Sequence, residues 1–134
     1  MFNPKNERDK KTIDVFQQLF KMNPNDFKSN DPEFMKILQN YIFGDIFETG
    51  ELTIKERELI TIICLTVIQC LPQLKAHINA ALNVGNTPLE IREAIYTCFS
   101  IQKFSSICIA KISFSCKFSC FFSKITRNIF KHFI

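Results

Sequence analysis

The chain has no tryptophan and only 3 glycines in 134 residues. So few glycines exclude a glycine-rich phosphate loop, and nucleotide binding by that route with it. None of the 6 cysteines forms a Cys-x-x-Cys pair. Cys116 and Cys120, the closest two, lack a second ligand pair of zinc-site type, so no metal is expected. No acidic residue follows Glu93. The formal net charge of +4 therefore conceals two parts: −2 over residues 1–93 and +6 over residues 94–134. A charge gathered in one tail is not a basic surface spread over a domain, so no nucleic-acid partner is expected. The first residues, MFNPKNERDKKT, contain no apolar stretch of signal-peptide length. The expectation is a cytoplasmic protein with reduced cysteines.

What is present suits one helical domain. Hydrophobic residues make up 46% of the chain and prolines number 5. Ile13, Phe16, Leu19 and Phe20 form a helical stripe over residues 6–22, which Asn23-Pro24-Asn25 stops. Asp31-Pro32 reads as an N-cap with proline in the first turn, opening a helix to about Phe43 that Gly44 breaks. Thr53 and Glu56 form a capping box. The helix they open is apolar through Leu59, Ile60, Ile62, Ile63, Leu65, Val67 and Ile68. Such a helix is expected to be buried on most of its surface, in the core or at a subunit contact. Pro72 is expected to begin the next helix, which Val84-Gly85 closes with a left-handed cap. Thr87-Pro88-Leu89-Glu90 is a second capping box. The predicted fold is all-α, with about five helices and no internal repeat.

From Phe99 the composition changes. Seven of the eight serines and, counting Cys98, four of the six cysteines lie in this last part. Helical periodicity fades, and Lys111-Ile112-Ser113-Phe114-Ser115 alternates as a strand would. The domain is therefore drawn as 1–98, with 99–134 as an atypical basic tail. An out-of-frame end in an A+T-rich gene is the favoured account of that tail. The other account is a real segment that packs on the domain or touches a membrane surface. Lysines interrupt each apolar run before it reaches the ~18 residues of a membrane span, so no membrane contact is expected.

The chemistry gathers where two helices meet. Glu58 lies near the start of the apolar helix, Cys70 just before Pro72, and His77 in the second turn beyond. Histidine titrates near neutrality, which suits proton transfer, and a carboxylate can orient its ring. The plainer alternative is a surface histidine beside Lys75. Cys70 precedes a helix N-terminus, which favours a thiolate where solvent reaches it; otherwise it is a small buried hydrophobe. Glu58, flanked by Lys55, Glu56 and Arg57, reads in isolation as part of a solvated face. A Glu58–His77 contact requires a particular crossing of the two helices, or a neighbouring subunit, and spacing alone leaves it open.

The stretches Leu52–Ile63, Pro72–Gly85 and Thr87–Ile95, with Tyr41–Phe47 before them, resemble the carboxymuconolactone decarboxylase family. That family includes the alkylhydroperoxidase D-like proteins, and the resemblance covers roughly residues 5–97. It implies an all-helical fold assembled as trimers or hexamers. Peroxidase members carry a glutamate, a Cys-x-x-Cys pair and a histidine four residues beyond it. Glu58, Cys70 and His77 match these positions, while Gln73 stands in place of the second cysteine. Decarboxylase members convert a carboxylated muconolactone to an enol-lactone without a cofactor. For this branch the resemblance implies His77 as proton donor, Glu58 as its support, and Arg57 or Lys75 holding the substrate carboxylate. The family's Phe-x-Gly-Phe-Pro-like run is missing after Cys98. A one-cysteine peroxidase or reductase using Cys70 is the second enzyme reading, and a helical oligomerisation module without catalysis is the third.

Overall fold

The computed structural model describes residues 1–108, and its regular structure there is entirely helical. Helix α1 spans Glu7–Phe20, α2 Pro32–Gln39, α3 Ile54–Val67, α4 Leu71–Asn83 and α5 Pro88–Cys108. The predicted strand-like alternation at 111–115 and most of the tail lie outside the described residues. Helix α5 runs ten residues past Cys98, where the sequence places the end of the domain. Among the described residues, no helix is long and apolar enough to cross a membrane.

The polar signals at the helix starts act as read. Asp31 Oδ1 accepts from the Phe34 amide at 2.9 Å, with Pro32 in the first turn. Both halves of the Thr53–Glu56 box are made. Thr87 and Glu90 also exchange bonds, Thr87 N–H to Glu90 Oε2 at 2.6 Å and Glu90 N–H to Thr87 Oγ1 at 3.2 Å. Gly85 closes α4 with φ of 94°.

Gly44 behaves otherwise. It does not break a helix: the chain continues beyond α2 as a π-helical turn over Asn40–Asp45, then a 3-10 turn over Ile46–Glu48. Glycine is needed there for space, because a Cβ at Gly44 would stand 2.6 Å from Thr12 Oγ1 and 3.2 Å from Arg8 O. The missing side chain lets α1 lie directly against the π turn. Around this contact Thr12 Oγ1 bonds Asn40 Oδ1 at 2.5 Å, and Asn40 Nδ2 donates to Asp9 Oδ1 at 2.8 Å. Asp9 Oδ2 takes the Asn3 amide and Lys36 Nζ. Burial pushes the Asp9 carboxyl up, but these donors outweigh it and hold the group down at about 2.

Two apolar clusters meet across α4. Leu74, Ile78 and Ala81 pack with Ile62 and Leu65 of α3 and with Ile91 and Ile95 of α5. Ala80 faces the other cluster, of Val15, Phe16 and Leu19 from α1 and Phe43 from the π turn. Asn83 Nδ2 ties α4 to the end of α1 by donating to Leu19 O at 2.7 Å. Helix α3 is buried on one side only. Ile62 and Thr66 have no exposed surface, whereas Ile60, Val67 and Ile68 remain exposed.

Candidate active site

The α3–α4 turn sets up the site. Gln69 takes a positive φ of 60°, reversing the chain so that α4 packs back along α3. Helix α4 begins at Leu71, one residue ahead of the predicted start, with Cys70 as its N-cap and Pro72 in its first turn. Glu58 lies nine residues before the end of α3 and His77 six residues after the start of α4. Antiparallel packing therefore brings them within about one turn of the same height. The contact that spacing left open is made within one chain: His77 Nδ1 donates to Glu58 Oε2 at 2.9 Å.

Glu58 is no part of a solvated face. It has no exposed surface, and its second oxygen, Oε1, is buried without a hydrogen-bond partner. His77 keeps 19% of its side chain exposed, so the pair runs from the interior to the surface. With Glu58 as acceptor, Nδ1 carries the hydrogen and Nε2 is the ring nitrogen outside that bond. A contact that sequence reasoning missed fixes the ring from the side. Phe20, at the end of α1, meets His77 edge-on with centroids 5.5 Å apart. Phe20 in turn packs on Phe16 and Phe43, so an aromatic wall stands beside the imidazole. Phe20 was legible as a core position, but nothing in its spacing linked it to His77.

The other candidates fall elsewhere. Cys70 is partly buried, and its thiol donates to Gln73 Oε1 at 3.6 Å. It stands seven residues before His77 on α4, about 10 Å along the helix axis. The thiol and the imidazole thus share a helix face without touching. Arg57 is occupied by the preceding loop: Nε donates to Leu52 O at 3.1 Å, Nη2 to Thr49 O, and the guanidinium lies over the Phe47 ring at 5.8 Å. Lys75 is exposed and, two residues before His77, stands about 200° around the helix from it. Neither cation is brought to the pair. Among the described residues, no group of three or more His, Cys, Asp or Glu is placed to hold a metal ion.

An all-α chain with a buried carboxylate–imidazole pair between two antiparallel helices is a framework for proton transfer. Residues 32–105, more than half of the chain, match the model of the carboxymuconolactone decarboxylase family, and the chain belongs to that family. The match spans α2 to α5 and includes Glu58, Cys70 and His77. No curated protein and no solved structure matches the chain.

Proposed function

We propose that the protein is a cofactor-independent carboxy-lyase acting on a small carboxylated lactone or related acid, with His77 as the proton donor. The observation that carries this reading is the Glu58–His77 bond, which engages Nδ1 with a fully buried carboxylate while the imidazole side chain stays 19% exposed. The carbon–carboxylate bond breaks, carbon dioxide leaves, and the electron pair passes into the conjugated lactone carbonyl. Nε2–H of the imidazolium then protonates the carbon left behind. Glu58 supports the imidazolium through Nδ1–H, a charge-assisted bond worth about 1.5–3 kcal/mol. Water returns the proton to Nε2.

The Phe20 wall favours the same direction. An apolar surface disfavours a carboxylate more than the neutral carbon dioxide it becomes. Arg57 and Lys75 enter this mechanism only where substrate itself draws them in, since the loop carbonyls hold Arg57 and Lys75 lies on another helix face. Assembly into a homo-oligomer, as trimer or hexamer, belongs to the same proposal. The exposed apolar positions Ile60 and Val67 on α3 and Ile68 at its C-cap support it.

The place of Cys70 at the head of α4 favours a second reading, a one-cysteine peroxidase or reductase. Gln73 stands where a resolving thiol would be, so an oxidised Cys70 has no partner within its own turn. The two readings part in a direct assay of the purified full chain. Carbon dioxide release from carboxylated muconolactones, without hydroperoxide consumption, is the expected result. Consumption of hydroperoxide with thiol as reductant, and no carbon dioxide, overturns the lyase reading.

A further inference from the structure

Helix α2 and the turn that continues it are built inside out. The side held by the rest of the chain is polar. Lys36 Nζ reaches Asp9 Oδ2 at 2.9 Å and Met1 O at 3.0 Å, Asn40 Nδ2 donates to Asp9 Oδ1 at 2.8 Å, and Gln39 is buried. The opposite side is apolar and open: Phe34 is 58% exposed, Ile37 66%, Leu38 36% and Tyr41 55%. At about 100° per residue these four positions fall in one stripe about 100° wide, and none of them is charged. A helix of a water-soluble domain ordinarily turns such a stripe to its own core. A contiguous apolar patch left outside marks an interaction site.

The stripe fits a second copy of itself. When two such helices lie antiparallel about a two-fold axis set between Ile37 and Leu38, Phe34 of one copy meets Tyr41 of the other, and Ile37 meets Leu38. Aromatic thus faces aromatic and aliphatic faces aliphatic, and the acidic ends at Asp31 and Glu33 stay apart. The area is also adequate. An open aromatic side chain presents roughly 150–250 Å², so at their observed exposures the four residues offer roughly 300–450 Å² per copy. A standard interface buries about 800 Å² per partner, a little over half of it apolar. The stripe therefore supplies most of the apolar share that a stable dimer needs. A lipid surface fits less well. Helices that lie on membranes set Lys and Arg on the polar face. Here Lys36 is tied to Asp9, and the exposed charges at the start of the helix are Asp31 and Glu33.

We propose that the Phe34–Ile37–Leu38–Tyr41 stripe is a two-fold interface on which a second copy of this chain docks, with the two α2 helices antiparallel. The stripe is distinct from the outer side of α3, and the inference holds whatever reaction Glu58 and His77 carry out. Alone the contact makes a dimer, and joined to a three-fold contact it makes a hexamer. A trimer is the assembly it excludes.

The test is size-exclusion chromatography with light scattering on the full chain, with far-UV circular dichroism to verify the fold of each variant. Ile37→Glu and Leu38→Lys each set like charges about the two-fold axis, so each should run at half the wild-type mass. Both positions are exposed, so the fold should be retained. Mixing the two variants should restore the wild-type mass, because position 37 of one copy then meets position 38 of the other with opposite charge. A wild-type chain with an odd number of copies, full mass in Ile37→Glu, or a mixture that stays at half mass overturns the proposal.

Discussion

Gly44→Ala is the substitution whose cost follows most directly from the geometry. Its new Cβ would stand 2.6 Å from Thr12 Oγ1, closer than such atoms pack, and 3.2 Å from Arg8 O. Thr12 cannot yield freely, because it is fully buried and bonded to both Asn40 Oδ1 and Arg8 O. Either α1 lifts from the π turn, or Thr12 rotates and leaves a buried Asn40 oxygen without its donor. An unsatisfied buried group costs about 1–3 kcal/mol, and overpacking costs a similar amount. Replacing glycine by alanine in a helical position returns about 1 kcal/mol. The net loss should be up to about 2 kcal/mol, read as a lower urea midpoint by far-UV circular dichroism. Thr12→Ala removes the oxygen that is struck, so adding Gly44→Ala to it should cost about 1–2 kcal/mol less than in the wild type. Equal costs in both backgrounds would refute the close-approach argument.

Asp9 titrates at about 2 in the folded chain against an ordinary 3.8. Its stabilising contribution is therefore complete above about pH 4 and lost as pH falls through 2. Asp9→Asn should cost about 2 kcal/mol at pH 7 and almost nothing near pH 2, and urea melts at the two pH values check this. Ile62→Ala removes a side chain with no exposed surface from the α3–α4–α5 cluster, and should cost about 2–5 kcal/mol by the same melts. Glu58→Gln keeps an acceptor for Nδ1–H but removes the charge. Carbon dioxide release should fall at least about tenfold, with a stability change of no more than about 2 kcal/mol. Unchanged turnover would show that the carboxylate charge is not used.

Much of this arrangement was legible because short polar signals fix helix starts. Asp31-Pro32, the Thr53–Glu56 box and the Thr87–Glu90 box each satisfy amides left free at a helix N-terminus, which local sequence alone can specify. Gly44 was misread because a helix-breaking glycine and a glycine that admits a neighbouring helix look alike in sequence. Only the position of Thr12, thirty-two residues earlier, separates them. The burial of Glu58 was hidden for a related reason. Its neighbours Lys55, Glu56 and Arg57 are charged, yet each is occupied elsewhere: Lys55 by Glu90, Glu56 by the Thr53 cap and Arg57 by loop carbonyls. Glu58 is then left alone on the inward side. The path of α5 beyond Cys98 was missed because Phe, Ser and Ile in that stretch carry no cap and little amphipathic pattern.

The central claim is that the imidazole of His77, and not the thiol of Cys70, carries the proton chemistry of this site. Turnover of a carboxylated muconolactone by wild type, His77→Ala and Cys70→Ser, each shown to be folded, tests it most directly. The predicted result is loss of carbon dioxide release of about 100-fold or more in His77→Ala, and near-wild-type release in Cys70→Ser. Activity that survives in His77→Ala, or is abolished in Cys70→Ser, would contradict the account.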